Sequence, residues 1–161
     1  MRKRVLRFLG ITVLVVAIVA GFAWLFRGDP LWMVSGRTLS GSEFPYPDNW
    51  DFTLEHFTVA VETRPEDPHS VTTISFVHEG ELYVPAQSGS TKQWPQYVLA
   101  DPRVRIKVDG KIYAARAERV LPLALEDYRE SLVEKFPAMA DRKVEDLPPD
   151  VWLFRIGPRG S

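Results

Sequence analysis

The sequence predicts a mainly β chain with two helices: a small antiparallel β-barrel preceded by a single transmembrane helix. Three observations predict it. An uncharged apolar stretch near the N-terminus nearly matches a bilayer core, several later runs alternate apolar and polar residues with period two, and one run toward the C-terminus has helical period.

Arg2, Lys3, Arg4 and Arg7 precede the stretch FLGITVLVVAIVAGFAWLF, Phe8 to Phe26. Its 19 residues reach about 28 Å at the helical rise, close to the roughly 30 Å of a hydrocarbon core. A cleaved signal has a shorter apolar region ending in an A-x-A-like site, and Val19-Ala20-Gly21 is the nearest approach to one, so length favours a retained anchor. The basic tip places the N-terminus in the cytoplasm. The expected location is therefore the cytoplasmic (inner) membrane, single-pass, with the remaining chain on the periplasmic or extracytoplasmic side. The absence of cysteine excludes a disulfide framework and thiolate metal sites. Lys and Arg number 20 against 21 Asp and Glu, so no global field favours nucleic acid.

Residues 1–27 are thus read as basic tip and anchor, 28–56 as a juxtamembrane connector rich in Gly, Pro, Ser and aromatics, and 57–161 as the barrel domain. Trp24, Trp32, Phe44, Tyr46 and Trp50 have two readings. They lie at the membrane surface, or the later ones cap the core of the following domain. FTVAVETR, Phe57 to Arg64, places Phe57, Val59 and Val61 on one face of a strand. Val71 to Gly80 and Glu81 to Ala86 read as a hairpin turning at Glu79-Gly80. A short helix follows, with Pro95 in its first turn. RVRIKV, Arg103 to Val108, alternates strictly and is joined to KIYAARAERV by Asp109-Gly110, a pair suited to a turn with φ > 0. Leu125, Tyr128, Leu132 and Phe136 form the apolar stripe of one amphipathic helix, and VWLFRI, Val151 to Ile156, is a closing strand. Closing about six strands on themselves leaves few unpaired edges.

Most catalytic constellations are missing. His56, His69 and His78 lack the local spacing of a metal site, no G-x-S-x-G elbow occurs, and GSTK at Gly89 to Lys92 has the wrong order for a phosphate-binding Walker loop. No metal and no catalytic residue is assigned. Ser88, Gly89, Ser90 and Thr91 offer backbone N–H groups and hydroxyls just before a helix, and Lys92 adds a charge. Such a turn can bind an anion, and it can equally be an ordinary polar loop.

From about Thr58 to Val120 the chain resembles the split-barrel flavin and deazaflavin oxidoreductases, most closely their deazaflavin-dependent nitroreductase and quinone reductase branch. The residues that carry the resemblance are ELYVPAQSGS, Trp94, Ala100-Asp101-Pro102, the hairpin from Arg103, and the close Ala117-Glu118-Arg119-Val120. It implies a split barrel of the pyridoxamine-phosphate-oxidase type. FMN or a deazaflavin would have its phosphate held by Ser88, Gly89, Ser90, Thr91 and Lys92. Trp94 would pack near the cofactor or support the loop. The barrel would form a homodimer, and the acceptor would be quinone-like or nitro-type. Where that branch has a basic turn between its first strands, this chain has Arg64-Pro65-Glu66-Asp67-Pro68, and Gln87 and Tyr97 replace a basic residue and an Asn. A non-catalytic accessory subunit of a membrane complex is the alternative expectation.

Overall fold

Eight strands form one sheet that closes through a single bent strand. The computed structural model describes residues 2–25, 28–31, 34–143, 146 and 148–160, with side chains of the first helix described for residues 9–19 and 21. After the helix α1 (Arg2–Leu25) come β1 (Ser42–Phe44), β2 (Thr58–Thr63), β3 (His69–Ile74), β4 (Phe76–His78) and β5 (Glu81–Gln87). Helix α2 (Gln93–Ala100), β6 (Arg103–Val108), β7 (Lys111–Arg119), α3 (Arg129–Lys135) and β8 (Val151–Pro158) complete the order. Hydrogen bonding runs β3-β2-β6-β7-β8-β5-β4. Only Ser75 separates β3 from β4, so one continuous strand pairs with β2 along its first half and with β5 along its second. The ring is thereby closed, as expected of a barrel of about six strands.

Both hairpins form at the turns expected from the sequence. Glu79 and Gly80 have φ of 52° and 78°, and Asp109 and Gly110 have 47° and 73°. Positive φ at both central positions gives the twist that two-residue hairpins need. The alternation in β6 sends Val104, Ile106 and Val108 into the core, where they meet Val59, Val61, Val84, Phe154 and Ile156. Phe57 departs from its expected inward face. Pairing of β2 starts at Thr58, so Phe57 lies outside the ladder, 69% exposed, with its ring 5.6 Å from that of Phe136. The expected single helix is a 3-10 turn at Leu125–Tyr128 running into α3. Tyr128, Leu132 and Phe136 cover a second apolar cluster of Phe76, Tyr83 and Leu153 outside the barrel.

The connector is not loose. β1 pairs in parallel with β7, the exception in an otherwise antiparallel sheet. Asp29 accepts from Lys107 Nζ at 2.6 Å and from the amide and hydroxyl of Ser40 at 3.0 and 2.6 Å. Gly36 and Ser70 exchange backbone bonds of 2.8 and 3.1 Å. Glu62 points away from the core yet is 4% exposed, because this strap covers it. Its carboxylate accepts from the Leu39 amide at 2.5 Å and from Arg105 Nη1 at 3.1 Å. Trp50, 1% exposed, belongs to the core, and its indole N–H donates to Tyr46 Oη at 3.1 Å. Of the two readings for the connector aromatics, Trp50 follows the core-capping one. The side chain of Trp24 and all of Trp32 lie outside the described residues.

The described residues do not support the expected transmembrane anchor. A helix forms, but among the described residues no helix is long and apolar enough to cross a membrane. The run of described side chains from Leu9 to Val19 reaches about 16 Å, roughly half a hydrocarbon core. Its Leu, Ile and Val side chains are all exposed. The side chains of Phe8, Ala20 and residues 22–25, and all of Phe26, lie outside the described residues.

Candidate functional site

The loop between β5 and α2 takes its shape from Ser88, a non-glycine residue in the left-handed region at φ 54°. That conformation turns the chain so that the amides of Thr91 and Lys92 both donate to the Ser88 carbonyl, at 3.1 and 3.0 Å. The Thr91 hydroxyl donates to the same oxygen at 3.2 Å. Trp94, one of the first helical residues, is buried in the core with its ring 5.1 Å from that of Phe154. It anchors the loop from below. Lys92 stands at the N-cap of α2, exposed, without a side-chain capping bond.

The other donors of the loop turn toward β8. Strands β5 and β8 pair with Gln87 opposite Val151, so the residue before Val151 comes to lie beside Ser88 and Gly89. That residue is Asp150. Its carbonyl accepts from the Gly89 amide at 3.1 Å. Its carboxylate accepts from the Ser90 amide at 3.1 and 3.4 Å and from the Ser90 hydroxyl at 2.6 Å. The hydroxyl bond from Ser90 is the main cause that holds the Asp150 carboxyl below its ordinary pKa, with the Ser90 amide, Trp152 and Arg119 acting in the same direction against desolvation. On the helix side, Gln96 Nε2 donates to the carbonyls of Gly89 and Ser90 at 3.0 and 3.3 Å.

Gly89 lies flat on Trp152. A Cβ there would come within 2.3 Å of Trp152 Cγ. The same indole carries the Arg119 guanidinium at 3.6 Å from the ring centroid, a cation–π contact. Arg119 Nε is buried without a hydrogen-bond partner. Gly89→Ala is accordingly expected to cost about 1–3 kcal/mol by overpacking and to displace the loop. Chemical denaturation, followed by tryptophan fluorescence, checks this; an unchanged midpoint would mean the loop shifts freely.

The structure therefore brings Ser88, Gly89, Ser90, Thr91, Lys92 and Trp94 together, and it adds Gln96, Arg119, Asp150 and Trp152. Asp150 ends the run DLPPD just before the closing strand and shows no function locally, because its partners stand some sixty residues away in the chain. The β5–β8 register is the signal that finds it. In the turn Arg64 to Pro68 both acidic side chains are paired. Arg64 pairs with Asp67, Arg103 with Glu66 at 3.7 Å, and the Arg64 guanidinium also lies 4.6 Å from the centroid of Tyr97, whose ring meets His69 at 5.4 Å. Among the described residues no group of three or more His, Asp or Glu side chains is placed to hold a metal.

These residues do not fit a cofactor phosphate as they are arranged. The Ser90 donors that a phosphate would use already meet a carboxylate, and the amides of Gly89, Thr91 and Lys92 are bonded within the chain.

No family model matches the chain, and no curated protein matches it. Solved structures do. A conserved hypothetical protein of Mycobacterium tuberculosis, Rv2991, is similar over 73% of this chain and 86% of its own, with 20% identity and a TM-score of 0.53. The heme storage protein HutZ of Vibrio cholerae is similar over 69% of this chain and 87% of its own, at 16% identity and a TM-score of 0.52. A putative pyridoxamine 5'-phosphate oxidase of Listeria innocua aligns over 68% of this chain and 90% of its own, at 19% identity and a TM-score of 0.48. The fold is the split barrel that the resemblance implies.

Proposed function

We propose that this chain is a split-barrel redox protein that holds a flavin-type ring, FMN-like or deazaflavin-like, and reduces a hydrophobic acceptor of the quinone or nitro class. One observation carries the reading. The loop at the end of β5, the buried Trp94 and the start of α2 form one unit against the barrel, and β7 and β8 bring Arg119 and the indole of Trp152 on which it stacks beside it. Sites for planar ligands combine apolar walls with a few fixed polar groups, and Arg119 and Lys92 would supply the cationic ones here. A ring cofactor brings the hydride chemistry, while the protein contributes placement and electrostatics.

Location at the inner membrane, N-terminus inside and barrel on the extracytoplasmic side, belongs to the same proposal. It is supported by the basic tip and by the exposed Leu, Ile and Val side chains of α1. Association of two barrels into a homodimer is proposed with it.

A second reading is favoured by Asp150. A loop whose Ser90 donors are closed by the chain's own carboxylate suits a non-catalytic accessory subunit of a membrane complex that has lost its cofactor. Purification of the full chain in detergent, followed by absorption spectra and titration with riboflavin, FMN, FAD and a deazaflavin, separates the two. Binding of at least one ring with a shifted absorption band is expected. Failure of all four to bind would sink the redox reading and leave the accessory one.

A further inference from the structure

The loop's own chemistry narrows the class of ligand, given the ring-binding reading above. We propose that Asp150 is a built-in counter-anion: its carboxylate takes the position that a ligand phosphate would occupy on Ser88–Lys92, so the chain accepts a phosphate-free ring there and turns phosphate-bearing ones away.

Three features carry this. First, every backbone N–H from Gly89 to Lys92 is engaged inside the chain. Gly89 donates to the Asp150 carbonyl, Ser90 to the Asp150 carboxylate, and Thr91 and Lys92 to the Ser88 carbonyl. The carboxylate oxygens stand where phosphate oxygens would accept from the same Ser90 amide and hydroxyl, at 3.1 and 2.6 Å. Second, Asp150 is not a mobile side chain that happens to reach the loop. Its main chain continues the β5–β8 ladder, one residue beyond the Gln87–Val151 pair, so the carboxylate is delivered by strand register. Trp152, two residues on, closes the space beneath Gly89. Third, the Ser90 hydroxyl bond, and to a lesser degree the charge of Arg119 stacked on the neighbouring Trp152, favour the ionised Asp150 carboxyl. A phosphate entering the loop would meet a like charge at hydrogen-bond distance and would have to displace bonds already made. A ring without phosphate meets neither obstacle.

Riboflavin and FMN differ by the phosphate alone, which makes them the probe. Asp150→Ala frees the Ser90 donors, and Asp150→Asn keeps the shape while removing the charge. The Gly89 bond to the residue-150 carbonyl involves only backbone, so both variants retain the anchor of the loop. In the wild-type full chain FMN is expected to bind no more tightly than riboflavin. In Asp150→Ala FMN affinity should rise by about tenfold, a change of one decade in Kd, with riboflavin affinity unchanged, and Asp150→Asn should fall between. A wild-type preference for FMN of tenfold or more, or no change of the FMN to riboflavin ratio in either variant, overturns the proposal. If neither flavin binds any form, the ring-binding reading fails by itself. The loop is then read through the Ser90 amide resonance during titration with inorganic pyrophosphate. A response in the variants alone supports the counter-anion, and an equal response in all three overturns it.

Discussion

Replacement of Trp50 by Ala is expected to destabilise the chain by about 3–5 kcal/mol, the range for removing a large buried aromatic side chain. The indole is 1% exposed and is surrounded by the rings of Tyr46, Phe52 and Tyr113 at 5.6, 5.7 and 5.2 Å. These neighbours come from the connector and from β7, so part of the wall of the space left behind, at Tyr113, is held in place by strand pairing. Trp50→Phe keeps most of the buried area and loses the indole N–H bond to Tyr46, whose hydroxyl in turn donates to the Ile156 carbonyl at 2.8 Å. Its cost should be smaller, about 1–2 kcal/mol. Urea unfolding of the two variants checks the order. A loss under about 1 kcal/mol in Trp50→Ala would mean that the ring covers the barrel without being part of its core.

Glu62→Gln is the second large effect. The carboxylate is 4% exposed and accepts from the Leu39 amide and from Arg105, whose side chain is 22% exposed. Removing one charge leaves Arg105 with Glu43, which is 75% exposed and bonded at 2.8 Å. Breaking a fully buried pair costs about 3–5 kcal/mol, and partial access of water to Arg105 lowers the expected loss here to about 2–3 kcal/mol. Glu43→Gln should cost less than about 1 kcal/mol, because an exposed pair is screened by solvent. Thermal unfolding of both variants, repeated at high salt, tests the contrast. Equal losses at the two positions would show that the strap does not shield Glu62.

The strands were legible wherever local pattern and local turn chemistry agreed. RVRIKV followed by Asp109-Gly110 specifies a strand, its inward face and its turn without reference to anything distant. Phe57 was misread because alternation reports which residues share a face and not where hydrogen bonding begins. The burial of Glu62 is hidden for the same reason: period two shows that it points away from Val59 and Val61, but not that another segment lies over it. β1 spans Ser42–Phe44, too short to establish a period. The candidate loop was legible in composition and place. Its electrostatic state was not, since that depends on Asp150 and Arg119, which only the strand order β7-β8-β5 brings near it.

The bonds that fix Asp29 to Lys107 and Ser40 set the length of a leash. From Leu25, the last residue of α1, to Asp29 the chain advances four residues, which even fully extended span no more than about 14 Å. Whatever surface or partner takes up α1, the barrel follows at that distance and samples only a thin shell beside it. A short leash of this kind turns a bulk encounter into a nearly intramolecular one and raises the effective concentration of anything dissolved in that shell. Inserting a flexible Gly-Ser segment between α1 and Asp29 would dilute the barrel away from its neighbours without touching a residue of the candidate loop.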